Sequence, residues 1–190
     1  MFNELKTAQA TAYLLHKAGG TMHYLKMMKL LYFADRLSWQ KRDYSITGDS
    51  YYSLPYGPVL SNTLNLLRDE TMNRLPTVWN EWIADREEHR ISIKKTIDWS
   101  DEYALDNLSD SDEKILDETF LKYGHLDRFQ LVELTHDPKI VPEWKDPKGG
   151  AIPIKLSSLL AHLDRSKEQI KSILADIEEQ KHIDRLFKGL

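Results

Sequence analysis

The run "YLKMMKLLYFADRLSWQ", residues 24–40, decides how the rest of the chain is read. Leu25, Met28, Leu31, Tyr32 and Asp35 fall along one side of a helix, at three-to-four spacing. Leu30, Phe33, Ala34 and Leu37 widen the apolar surface well beyond one stripe. A helix that is apolar around most of its circumference belongs inside a core, so the segment 23–40 is expected to be central. Met27 and Met28 read as core filling rather than as ligands. Lys29 and Asp35 are charges on this core helix, costly there unless paired, and they are expected to orient one another or a neighbouring hairpin.

Working outward, residues 3–17 carry Leu5, Ala8, Ala12 and Leu15 at helical spacing, with Asn3 as N-cap and Gly19-Gly20 as the stop. After the central helix, "YSITGDSYYSL" changes to strand-forming residues around Gly48-Asp49, which predicts a hairpin turning there. Tyr56-Gly57-Pro58 then reads as a tight strand-to-helix turn, with Pro58 in the first helical turn and Val59, Thr63, Leu66 and Leu67 on the apolar face, fraying near 69–73. Residues 77–85 fit a short helix or an irregular aromatic segment, and "HRISIKKTIDW" (89–99) a third strand. "LSDSDEKILDETFLKYG" (108–124) is a capped helix, and Asp127 caps another, "DRFQLVELTH". The Pro- and Gly-rich 137–153 is a long loop, followed by helices near 155–164 and 166–187, where Ser166 and Gln169 form a capping-box start.

Composition narrows the function. The 190 residues, 41% hydrophobic and 29% charged, suit one globular domain. No apolar run approaches a membrane span, and the N-terminus lacks a signal-peptide pattern, so cytoplasmic residence is expected. Zero cysteines exclude disulfides, thiolate catalysis and thiolate metal sites. The net charge of −4 argues against a general nucleic-acid binder. Residues 81–117 hold twelve acids against five bases, an acidic face able to steer a partner. By contrast, residues 22–42 carry Lys26, Lys29, Arg36, Lys41 and Arg42 against Asp35. With the helix, turn, helix, hairpin order, that leaves a winged-helix-like DNA-binding regulator as one alternative.

Motifs for chemistry are weak. The seven histidines are scattered, and His125 with Asp127 and His136 with Asp137 are taken as the candidate His–carboxylate pairs. No nucleophile elbow, phosphate loop or dinucleotide fingerprint is present. Neither a cofactor, a metal site nor a catalytic residue is assigned, and the chain is read as a non-enzyme.

Three stretches together resemble a known family: "KMMKLLYFADRLSWQ", "ITGDSYYSLPYGPVLSNTLNLL" and "YGHLDRFQLVELTHDPKIVPEWKD". The chain is similar to the Panacea domain, also called SocA-like or GepA-type, over roughly residues 5–147. The matching residues include Lys29, Leu30, Tyr32 and Asp35; Gly48 and Asp49; Gly57, Pro58 and Val59 after Tyr56; and His136 with Trp144 further on. The resemblance implies an antitoxin that neutralises a cognate protein toxin by direct contact. It also implies, as an alternative, an adaptor that delivers the toxin to an ATP-dependent protease. The motif residues read as structural, and Tyr51, Tyr52, Tyr56 and Trp144 as candidate partner contacts, Trp144 alternatively as a plug over the core. The acidic 81–117 region and the last amphipathic helix are further candidate contact surfaces.

The expected architecture is α+β and mostly helical, six or seven helices around a small antiparallel sheet of two or three strands. Residues 1–150 form the domain. Residues 151–190 form a C-terminal helical extension packed on the domain or on a partner.

Overall fold

The computed structural model describes residues 1–68, 77–101 and 103–188. The expected fraying at 69–73 lies outside them. The fold is α+β and mostly helical, and its centre is α2 (Tyr24–Arg42), in which every residue from Met27 to Asp35 is buried. Around it stand α1 (Glu4–Lys17), α5 (Asp110–Tyr123) and α6 (Arg128–His136). Ala8, Ala10 and Ala12 are fully buried, small enough for α1 to approach its neighbours closely. Local caps set the helix starts: Asn3 accepts from the Lys6 N–H, Ser109 and Asp112 form a reciprocal capping box, and Asp127 accepts from Phe129 and Gln130. Short helices α3 (Ser61–Arg68), α4 (Val78–Trp82) and α7 (Leu156–His162) and the long α8 (Lys167–Lys188) make eight among the described residues.

Among the described residues, six short strands form two antiparallel three-stranded sheets. One sheet has the order β1-β5-β4: β1 (Thr21–His23), β5 (Arg90–Ile93) and β4 (Ile83–Glu87). The other has the order β3-β2-β6: β3 (Gly57–Leu60), β2 (Tyr51–Leu54) and β6 (Ile152–Ile154). The strand expected within 89–99 is β5. The segment 77–85 is α4 running into β4, and the end of the expected 137–153 loop joins the sheet as β6.

The hairpin is displaced from its expected place. It turns at Pro55-Tyr56, with Tyr51 opposite Leu60 and Leu54 opposite Gly57, not at Gly48-Asp49. Gly48, at φ 67°, instead packs its open Cα face against the Met1 carbonyl, and Asp49 acts as a remote cap for α3, accepting from the backbone of Asn62 and Thr63. Pro58 correspondingly lies in β3 rather than in a helix. It is tolerated there because β3 is an edge strand, where a missing N–H costs no ladder bond.

The C-terminal segment completes the core. Leu159, Leu160, Leu163 and Ile173 are buried in it. Arg165 donates to the Gln40 carbonyl and to Asp43, placing a cation at the C-terminus of α2, where the helix dipole favours it.

Candidate functional site

The motif residues converge on one buried polar spine that runs from α2 into the β2–β3 hairpin. Asp35 is fully buried, yet its carboxylate accepts from the Ile46 and Thr47 N–H groups, the Thr47 hydroxyl and the Tyr51 hydroxyl. Burial pushes its pKa up to about 6, and these donors pull the other way by stabilising the charged form. Tyr51 also receives the Trp39 indole N–H at 2.9 Å. A single carboxylate therefore fixes the segment that leads into β2.

Six residues earlier, Lys29 is also fully buried and donates to the Pro58 carbonyl at 2.8 Å. Desolvation lowers its pKa to about 7. Lys29 and Asp35 thus each hold a different part of the hairpin and do not pair with one another. Gly57, at φ 93°, is required beside them: a Cβ there would run into the Thr135 hydroxyl and stand 2.8 Å from Lys29 Nζ. Leu30 and Val59 are buried alongside as apolar packing.

The third tie comes from the loop after α6. Glu143, 4% exposed, accepts from Tyr32 and from Arg36, both at 2.7 Å. Its neighbour Trp144 donates its indole N–H to the Leu54 carbonyl at 3.1 Å and stacks on His136 at 4.1 Å between ring centroids. The Lys145 N–H then reaches Ser53 Oγ. Burial, with the Lys29 charge nearby, lowers the His136 pKa; Asp146 and the Pro55 backbone oppose this. Sequence reasoning missed Glu143. The available signal was indirect, two polar groups one turn apart on a core helix, Tyr32 and Arg36, that need a shared acceptor.

The candidate contact residues end up in different surroundings. Tyr51 is 4% exposed and its hydroxyl lies within the spine, so it is a core residue and not a surface anchor. Tyr52 is half-buried and lines a cleft of about 600 Å3 together with Tyr44, Ile154, and Ile177 and Lys181 of α8. Tyr56 is 63% exposed at the hairpin turn, and Trp144 is half-buried, fastened to the base of that turn. The structure thus gathers Tyr56, Trp144 and His136 at one end of the hairpin and sets Tyr52 apart.

The winged-helix alternative fails on burial and charge. The helix that would read a groove is the core of the molecule. Most of its cations are also engaged: Arg36 with Glu143, Lys41 with Glu118, Arg42 with Asp112 and Lys29 with Pro58. Among the described residues no cluster of three His, Asp or Glu side chains is placed to hold a metal ion, and no helix is long and apolar enough to cross a membrane.

Comparison with known proteins agrees with the motif reading. The family model described as antitoxin SocA-like, Panacea domain, matches residues 27–145. That span begins in the buried stretch of α2 and ends just beyond Trp144, so it contains the whole polar spine. Neither the curated proteins nor the solved structures gave a match.

Proposed function

The chain belongs to the SocA-like antitoxin family with a Panacea domain, and on that premise we propose that it neutralises a cognate protein toxin by direct contact through the end of the β2–β3 hairpin. The observation that supports this reading is Tyr56, 63% exposed on a turn whose base is locked by Lys29, Gly57 and Trp144. A rigidly presented tyrosine buries a large area at small entropy cost, the property of an interface anchor. Occlusion of the toxin needs no bond chemistry, and the family assignment supports a role without catalysis. Tyr52 and Trp144 are proposed to contribute at the edge, and the exposed Ile183, Leu186 and Phe187 of α8 offer a second apolar contact.

The test is co-expression with the product of the adjacent reading frame. Toxicity of that product alone, rescue by this chain and a stable complex lost in the Tyr56→Ala variant would support the proposal. Rescue accompanied by disappearance of the toxin, with no stable complex, would replace occlusion by delivery to an ATP-dependent protease. A harmless neighbour would remove that pairing.

A further inference from the structure

A second recessed surface lies at the other end of α6, and it shares no residue with the hairpin turn. It is a cleft of about 480 Å3 bounded by Ala18, Thr21, Met22 and His23, by Lys26 of α2, by Arg90 of β5, and by Asp127, Arg128 and Phe129 at the start of α6. Its volume is within the range of recessed ligand sites. Three cations from three separate elements therefore face one carboxylate.

The state of these cations sets the cleft apart from the rest of α2. Arg36, Lys41 and Arg42 each form a salt bridge with a carboxylate of this chain. In the cleft, Lys26 donates only to the Gly124 carbonyl, and desolvation lowers its pKa. Arg128 lies over the Phe129 ring at 4.7 Å. Neither of these, nor Arg90, has a salt bridge among the described residues. Asp127 is near enough to act on Lys26 and Arg128 electrostatically, but one carboxylate against three cations leaves the cleft net positive. Phe129 stands 55% exposed at the rim, and Met22 supplies an apolar wall.

We infer that this cleft binds an acidic segment of a protein partner, its carboxylates on Arg90, Arg128 and Lys26 and an apolar side chain against Phe129. Guanidinium groups favour carboxylates through paired hydrogen bonds, and arginine beside an exposed aromatic is the composition of an interface hot spot. The cleft is short, and the Asp127 carboxylate in its wall would repel a phosphate. A nucleic-acid backbone would need an extended cationic track, and the next cations along α2 are already paired. The inference does not depend on the partner being a toxin.

The experiment uses the full chain and three labelled probes of equal length: a peptide alternating Glu and Leu, the same peptide with Gln for Glu, and a single-stranded oligonucleotide. Binding is measured by fluorescence anisotropy at low and high salt. The acidic peptide should bind, weaken as salt rises, and lose about ten-fold or more in affinity in the Arg90→Glu, Arg128→Glu double variant. The Gln peptide should bind far more weakly. Equal binding of the two peptides, no loss in the double variant, or tighter binding of the oligonucleotide would each overturn the assignment. Both substitutions are at exposed positions, and circular dichroism of the variant checks that it remains folded.

Discussion

Two sheets of three strands both touch α2 and are attached to the helical core by different means. Sheet β1-β5-β4 is held by apolar burial, with Met22, Trp79, Trp82, Ile83 and Ile91 all within the core. Sheet β3-β2-β6 is held in addition by buried charge: Asp35 at its entry, Lys29 on its edge strand, and the Glu143–Trp144 loop at its turn. Apolar contact rewards proximity and tolerates a small slide. A carboxylate with several fixed donors has one satisfactory position, and any displacement leaves buried polar groups unpaired. The first sheet is therefore attached, whereas the second is positioned. Positioning matters where a turn has to present Tyr56 in a defined place.

Removing the strongest polar tie should expose this difference most clearly. Asp35→Ala leaves two backbone N–H groups and two hydroxyls without their acceptor in a dry site, at an expected cost of about 4 kcal/mol in urea unfolding. Asp35→Asn, which keeps the shape but supplies fewer acceptor sites, should cost about half as much. A loss below about 1 kcal/mol for Asp35→Ala would show that apolar packing alone positions the hairpin.

The matching cut in the other sheet is Ile91→Ala, for which lost transfer energy and the residual cavity predict about 3 kcal/mol. Here the comparison concerns geometry as well as stability. Hydrogen exchange in Ile46–Leu54 should stay protected relative to global unfolding in Ile91→Ala and open locally in Asp35→Ala. Equal opening of the hairpin in both variants would erase the distinction.

The Lys29 tie has a signature in pH. Its folded pKa is about 7, below the ordinary 10.5, so over that interval the unfolded chain binds a proton that the folded chain does not. Its contribution to stability therefore rises with pH from about 7 to 10.5, with a slope of at most ~1.4 kcal/mol per pH unit. Asp35, raised to about 6 from 3.8, acts with the opposite sign below it: the folded state holds the extra proton, and that contribution is lost as pH rises through 6. Lys29→Met should remove about 1 kcal/mol of the stability change between pH 7 and pH 8. An unchanged slope in the variant would mean that the amine titrates at its ordinary value.

The same contrast explains what the sequence made legible. α1, α2, α5 and α6 follow from periodicity and from caps close in sequence, such as Asn3, the Ser109–Asp112 box and Asp127. β5 was visible through Ile91 and Ile93. β1 and β6 were not, because three residues carry no readable alternation and Pro153 argues locally against a strand. Gly48-Asp49 carries a turn signal in the sequence, whereas the Asp49 side chain is occupied with a helix thirteen residues away. That role depends on tertiary contact. Lys29 and Asp35 stood out as misfits on an apolar helix, which flagged the spine correctly but could not name its partners. Glu143 lies in a loop without periodicity, and only the fold brings it to Tyr32 and Arg36.

The smallest stability effect belongs to the residue on which the proposed function rests. Tyr56 is exposed, and no side-chain hydrogen bond of its own joins it to the spine, so Tyr56→Ala should change unfolding free energy by no more than about 0.5 kcal/mol. Toxin neutralisation should nevertheless fall, with complex formation weakened by about 2 kcal/mol if the ring is an anchor. Gly57→Ala gives the converse: the ring is retained, but the turn has to move away from Thr135 and Lys29. If position as well as chemistry matters, both variants lose binding, and only Gly57→Ala also loses stability. If Tyr56→Ala binds normally while Gly57→Ala does not, the contact lies beside the turn, at Trp144 or Tyr52, and the tyrosine is incidental.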